Sequence, residues 1–121
     1  MKIKLTIIFF VCSVIGFMVR LPSVFHHYDK ELHALFYFSS TIIINLLFPK
    51  KWHFIALILF LFGIMIESLQ HFSNGLLHKK IHGNFDIQDI KYNIIGLILG
   101  TLVSILIQIL IKIKSKEHIK Q

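Results

Sequence analysis

The sequence contains few of the features that divide or cross-link a chain. Its single cysteine, Cys12, permits no intrachain disulfide bond. Linkers rich in serine or proline, low-complexity tracts and internal repeats are all absent, so we predict one domain over residues 1–121. The sequence also lacks a P-loop, a nucleophile elbow and a compact zinc motif such as HExxH. No motif therefore points to a particular chemical reaction.

Acidic residues are scarce as well. Six Asp and Glu residues stand against 13 Lys and Arg residues, which gives a net charge of +7. Such a balance can indicate nucleic-acid binding, but most of the lysines lie at the ends of apolar runs, where they anchor helices to lipid headgroups. Because no basic face carries stacking aromatic residues, we expect no nucleic-acid partner.

Apolar residues dominate the chain instead. They make up 55% of it, the mean hydropathy is +0.74, and polar clusters separate four long apolar runs. We predict an all-α polytopic membrane protein, a bundle of four transmembrane helices at about residues 4–20, 30–48, 52–71 and 89–112. The first run could instead be a secretory signal, but Phe17, Met18 and Val19 form a poor cleavage site, so a retained helix is expected.

The distribution of basic residues predicts the orientation. With four spans, eight Lys and Arg residues share a side with both termini, and five lie on the other side. The N-terminus and the C-terminus are therefore predicted to be cytoplasmic. We expect the basic tail after Ile111 to be frayed, and residues 72–85 to form either a segment along the membrane surface or a solvated turn.

The most informative stretch leads into the last apolar run. At about 100° per residue, Asp86, Asp89, Asn93, Gly96 and Gly100 fall on one narrow face of a helix. Lipid cannot satisfy two carboxylates and a carboxamide, so this face should meet other helices. We interpret the two glycines as helix-packing positions and the acids and amide as one wall of a polar site.

Two other helices present polar residues at the same predicted side of the membrane. Asp29, His33 and Tyr37 recur at a spacing of four residues, and Glu67 and Gln70 follow the third apolar run. The plainer alternatives are that the acids begin, cap or pair helices, and that Tyr37 is an interfacial aromatic residue. The predicted ligand-binding residues are Asp29, Lys30, His33, Tyr37, Glu67, Gln70, Asp86, Asp89 and Asn93.

Eight histidines raise the question of a metal ion. Acidic residues together with His33 or His71 are chemically suitable ligands, but the pattern lacks a compact metal-binding motif. We therefore expect no metal and no cofactor. Asn45 lies on a different side of the second helix and is predicted to make a structural hydrogen bond to another helix.

These polar motifs carry a resemblance to a known family. The runs from Asp29 to Tyr37, from Glu67 to Phe72 and from Phe85 to Gly100 resemble the VanZ-like family of small bacterial membrane proteins. The resemblance covers all but the first helix and the tail, and it implies a helical domain in the bacterial cytoplasmic membrane. The founding member of that family is associated with resistance to the glycopeptide teicoplanin. Members of the family usually have an Arg just before the acidic residues, whereas Gly83 and Asn84 occupy that region here.

Two functions are compatible with such a site. The first is a non-enzymatic envelope protein whose outward polar pocket binds a membrane lipid headgroup or a lipid-linked cell-wall precursor. The second is a membrane enzyme acting on a lipid-linked substrate, with Glu67 or Asp89 as general base and His33 as acid or electrostatic stabiliser. No Ser or Cys lies among these acids, so we favour the first. A transporter or channel would need more spans or an oligomer, and an oligomer is compatible with the sequence.

Overall fold

The computed structural model describes residues 1–19, 23–76 and 86–121. Within those ranges the chain forms helices and no strand, which confirms the all-α prediction. The elements are α1 (Lys2–Met18), a 310 helix (Ser23–Tyr28), α2 (Asp29–Leu47), α3 (Trp52–Leu76) and α4 (Ile87–Ile119).

The helix ends differ from the prediction mainly in α3 and α4. The third helix continues past residue 71 to Leu76, so the expectation of a loop over 72–85 is wrong for its first five residues, and the remainder lies outside the described residues. The fourth helix reaches Ile119, so the frayed tail is also wrong. Lysine and glutamate are good helix formers, and Lys116 and His118 in the last turn interact favourably with the negative end of the helix.

The closest packing is between α2 and α4, which run parallel. A methyl group added at Gly96 would lie closest to the carbonyl oxygen of Ala34 on α2. One added at Gly100, a turn further along, would lie 2.7 Å from the carbonyl oxygen of Phe38. Glycine at both positions therefore lets the two backbones approach more closely than any side chain would permit.

The remaining contacts show that consecutive helices alternate in direction. Near one end of α1, Lys2 Nζ donates to the carbonyl oxygen of Leu47 at 3.3 Å. Near the other end, Gln70 Nε2 on α3 donates to the carbonyl oxygen of Phe17 at 2.9 Å. The last turns of α1 and α3 and the first turns of α2 and α4 consequently lie at one end of the molecule, which we call the acidic end.

Polar residues occupy the interior and apolar residues the exterior. Among the described residues, nine polar and seven apolar side chains are buried. Large apolar side chains are exposed on every α-helix, including Ile8 on α1, Leu35 on α2, Leu61 on α3 and Leu102 on α4. Within the described ranges two helices, α3 and α4, are long and apolar enough to cross a membrane.

Candidate functional site

His33 and Asn93 apart, the buried polar side chains fall into two groups, and the first is satisfied within its own helix. The Ser13 hydroxyl donates to the carbonyl oxygen of Phe9 at 2.7 Å, and the Ser40 hydroxyl donates to that of Phe36 at 2.6 Å. Thr41 makes the same kind of bond one turn back along α2. A hydroxyl that bonds to the carbonyl four residues earlier needs no water and no neighbouring helix. These residues therefore require no ligand.

The second group keeps polar atoms that have no hydrogen-bond partner among the described residues. It comprises Tyr37 Oη, Glu67 Oε1, Asp89 Oδ1 and both side-chain amide atoms of Asn45. Leaving a buried polar group unpaired costs about 1–3 kcal/mol, and more for a charged group. Tyr37, Glu67 and Asp89 come from three different helices. Such a set is the expected lining of a binding site.

Asn45 differs from the sequence-based prediction. Its side chain is fully buried but forms no hydrogen bond to another helix within the described part of the chain. The link to α4 is made by its backbone, because the carbonyl oxygen of Asn45 accepts from Gln108 Nε2 at 3.3 Å. The predicted bond from the side chain is therefore wrong. Asn45 lies near the end of α2 that is remote from the acidic end.

His33 is the centre of the acidic end. Its side chain is buried, with 4% of the residue exposed, and its Nδ1–H donates to Asn93 Oδ1 at 3.0 Å. With the proton on Nδ1, the neutral ring carries a lone pair on Nε2. That nitrogen lies 3.9 Å from Asp29 Oδ1. The ring of Phe17 covers His33 from α1, at a centroid distance of 5.1 Å.

Asp89 and Glu67 place two carboxylates beside this histidine. Asp89 is 9% exposed and Glu67 is 2% exposed. The two carboxylates are close enough to repel each other, and both are also repelled by Asp29. Asp89 is attracted by Lys30. The acidic end therefore concentrates negative charge in a buried place.

Asp86 lies at the start of α4 and forms hydrogen bonds there. It is the N-cap residue, and its carboxylate accepts from the backbone N–H of Gln88 at 2.7 Å. Its own backbone N–H donates to the Glu67 carboxylate. The sequence placed Asp86 on the same helical face as Asp89, but it precedes the helix, so the buried face begins at Asp89.

Tyr37 lies deeper in the molecule, below His33. It is fully buried, which does not fit the alternative of an interfacial aromatic residue. A methyl group added at Gly63 would lie 3.0 Å from Tyr37 Oη and 3.0 Å from Asn93 Nδ2. The absence of a side chain at Gly63 therefore lets these two polar groups meet α3.

The structure gathers six of the nine predicted ligand-binding residues into one cluster. Gln70 instead joins α3 to α1 through the carbonyl of Phe17, and Lys30 is half-buried within electrostatic range of Asp89. His71, considered as a ligand from the sequence, is exposed. We call the gathered set the polar cluster; it consists of Asp29, His33, Tyr37, Glu67, Asp89 and Asn93.

Three members of the polar cluster are arranged as metal ligands could be. One ligand atom each from Asp29, His33 and Asp89 lies within 4.8 Å of the others. The sequence offered only a weak signal for this trio, because Asp89 is 60 residues from Asp29 and no short motif connects them. Helical phase predicts which face of each helix carries these three residues. Only the side-chain positions in the structure show that the three side chains converge.

A separate groove lies between α3 and α4, away from the polar cluster. It has a volume of about 420 Å³ and an almost entirely apolar lining. Its position near Trp52 and Thr101 places it toward the opposite end of the bundle. It therefore contributes none of the polar atoms described above.

Fold and site together describe a small all-helical protein with a polar interior, an apolar exterior and a buried cluster of acids at one end. Comparisons with protein-family models, with curated proteins and with solved structures found no match.

Proposed function

We propose that this chain is a four-span membrane protein of the VanZ-like family whose polar cluster binds a lipid headgroup or a lipid-linked cell-wall precursor. The burial pattern supports insertion into lipid. In water, exposing so many large apolar side chains while burying nine polar ones would be unfavourable, whereas in a bilayer the same distribution is expected.

The lengths of α1 and α2 support two further spans. With 17 and 19 residues they extend about 26 and 29 Å, against a hydrocarbon thickness of about 30 Å. After Lys4, α1 contains no further Asp, Glu, Lys or Arg, and the same holds for α2 after Glu31. Both helices can therefore cross the hydrocarbon with their charged residues at one edge.

Charge asymmetry supports an orientation with both termini in the cytoplasm. Eight lysines lie at the end opposite the polar cluster. They are Lys2, Lys4, Lys50, Lys51, Lys112, Lys114, Lys116 and Lys120. Among the described residues the acidic end has two, Lys30 and Lys91. Because basic residues are retained on the cytoplasmic side, the polar cluster faces outward.

One observation carries the binding proposal. Tyr37 Oη, Glu67 Oε1 and Asp89 Oδ1 are buried, lack a partner within the described residues and belong to three helices that meet at one end. A ligand with polar atoms would relieve this cost by supplying the missing hydrogen bonds or a countercharge. An outward-facing cluster at the membrane edge is accessible to headgroups of the outer leaflet.

Lipid co-purification tests this proposal. The full-length protein and its Asp89→Asn variant would be extracted with their surrounding lipid, and the bound lipids identified by mass spectrometry. We expect the wild type to enrich one headgroup class and Asp89→Asn to lose that enrichment. Glu117→Gln is the matched control, since Glu117 is exposed at the opposite end and should leave the enrichment unchanged. Identical lipid profiles in all three proteins would contradict the proposal.

A second function, a membrane enzyme acting on a lipid-linked substrate, is supported by one specific arrangement. His33 carries an available Nε2 beside Asp89, and Glu67 supplies a further carboxylate, so a general base and an electrostatic stabiliser lie together. Incubation of the purified protein with envelope lipids, followed by mass spectrometry of the lipids, separates the two functions. Chemical change of the lipid that is lost in Glu67→Gln indicates an enzyme, whereas retention of unchanged lipid indicates a binding protein.

A further inference from the structure

We infer that Asp29, His33 and Asp89 form a binding site for one divalent transition-metal ion. The three ligand atoms lie within 4.8 Å of one another. Their common centre is therefore no more than about 2.8 Å from each atom, which is close to the usual zinc-to-ligand distance of about 2.0–2.2 Å. Small side-chain rotations complete the approach, without movement of the helices.

The hydrogen bond between His33 and Asn93 favours a ligand role for His33. Asn93 Oδ1 accepts a hydrogen bond from Nδ1, which leaves the Nε2 lone pair directed to the side where Asp29 lies. Metal-binding histidines commonly donate their second ring nitrogen to an oxygen in this way, and the bond holds both the tautomer and the ring orientation. Asn93 is thus a positioning residue for the proposed site.

The unpaired oxygen of Asp89 is a separate indication of a cation. Asp89 is nine-tenths buried, and its Oδ1 has no hydrogen-bond donor among the described residues. Glu67 adds a second buried carboxylate that repels it. Burying neighbouring carboxylates without a countercharge is costly. A divalent cation between Asp29 and Asp89 would provide that countercharge for these two carboxylates.

The mixture of ligand atoms indicates the class of metal. One imidazole nitrogen and two carboxylate oxygens suit Zn²⁺ or Mn²⁺ better than Mg²⁺, which prefers oxygen ligands and retains several waters. Three protein ligands leave at least one coordination position open. We assign that position to a phosphate oxygen of the headgroup, an assignment that rests on the proposed function. A metal ion bound by acidic side chains would allow the acidic site to bind an anionic ligand.

Metal binding by the full-length protein tests this inference. Protein purified in detergent would be treated with a chelator, equilibrated with Zn²⁺, Mn²⁺ or Mg²⁺, desalted and analysed for bound metal. Co²⁺ loading would report nitrogen and oxygen coordination through its visible absorption. We expect about one Zn²⁺ per chain and a higher unfolding temperature when zinc is present.

Three variants and a matched control determine which residues bind the metal. Asp89→Asn keeps the side-chain shape and should abolish stoichiometric binding, as should His33→Ala. Asn93→Leu should weaken zinc affinity by about 10–100-fold while leaving the three ligands in place. The control is His71→Ala, which removes an exposed imidazole on α3 and should bind zinc as the wild type does.

The metal site and the proposed lipid binding can fail separately. Absence of zinc binding, or binding that survives in Asp89→Asn, would overturn the metal site even if lipid still co-purifies. Zinc binding that is lost in Asp89→Asn but with no enriched lipid in the wild type would support the metal site and contradict the proposed function. Zinc-dependent enrichment of a phosphate-containing lipid would support both.

Discussion

Replacing Gly100 with alanine tests whether the close approach of α2 and α4 stabilises the fold. The added methyl carbon would lie 2.7 Å from the Phe38 carbonyl oxygen and 2.8 Å from Thr41 Cβ. Both distances are shorter than the 3.0 Å below which Cβ atoms in proteins essentially never approach other atoms. Ordinary van der Waals contact begins near 3.4 Å, so the two helices would have to separate by about 0.6–0.7 Å. Overpacking of this kind costs about 1–3 kcal/mol in the free energy of unfolding.

The control for this substitution is Gly16→Ala in α1. An added methyl group there meets nothing within 4 Å, so this variant gains helix propensity, about 1 kcal/mol at most, without any steric cost. The difference between the two variants therefore isolates the steric cost. We expect Gly100→Ala to be less stable than Gly16→Ala by about 1–3 kcal/mol in equilibrium unfolding in mixed micelles. Equal stability of the two variants would refute the close parallel packing of α2 and α4.

The separation should also affect the polar cluster, because Asp29 and His33 belong to α2 and Asp89 belongs to α4. Any displacement between these helices lengthens the distances among the three side chains. Gly96→Ala lies nearer to the cluster and adds its methyl group directly against backbone atoms of α2, so it should weaken zinc and lipid binding more than Gly100→Ala. Unchanged binding in Gly96→Ala would show that the cluster is independent of this packing.

Three further predictions use other parts of the structure. Asn45→Leu should raise the free energy of unfolding by about 1 kcal/mol, since neither amide atom of this buried residue is bonded within the described chain; a loss of stability would indicate a partner. A double-mutant cycle of His33→Ala and Asn93→Ala should give a coupling energy of about 1 kcal/mol, and additive effects would contradict their hydrogen bond. In a cysteine-free background, Gly75→Cys should react with an impermeant thiol reagent in intact cells and Lys51→Cys only after lysis; the reverse result would invert the proposed topology.

The helical faces could be predicted from the sequence because helix geometry is local. A rotation of about 100° per residue places Asp89, Asn93, Gly96 and Gly100 on one side of α4, and all four are buried. The same periodicity places His33 on the buried side of α2. For these five residues the phase of a single helix was sufficient to predict the buried face.

Predictions that depended on helix ends or on contacts between helices were less successful. The sequence alone does not distinguish an α4 that begins after Asp86 from one that includes it, because an acidic side chain is favourable both at the N-cap and in the first turn of a helix. The bond from Gln70 to the carbonyl of Phe17 joins residues 53 positions apart, and no periodicity within either helix reports it. The unbonded amide of Asn45 likewise depends on the neighbours that tertiary packing supplies.

The distribution of acids distinguishes structural requirements from a ligand site. Five of the six acidic residues belong to the acidic end of a chain that is otherwise strongly basic. Most of them have a plain structural explanation, since Asp29 and Glu31 lie in the first turn of α2, Asp86 caps α4 and Asp89 lies in its first turn. A carboxylate at such a position gains about 0.3–1 kcal/mol from the positive end of the helix.

Glu67 has no such explanation from its own helix. It lies within α3, more than two turns before the end at Leu76, and it is almost completely buried. The backbone N–H of Asp86 satisfies part of its carboxylate, but Oε1 has no donor in the described chain and the neighbouring carboxylates are repulsive. The dipole of α3 gives no stabilisation at an interior position, because its effect falls off within the first and last turns. Helix capping therefore accounts for Asp86 without any ligand, and the first-turn position of Asp89 stabilises its charge but leaves its Oδ1 without a donor in the described chain. Glu67 gains nothing from its own helix and is the acid whose burial most requires a ligand.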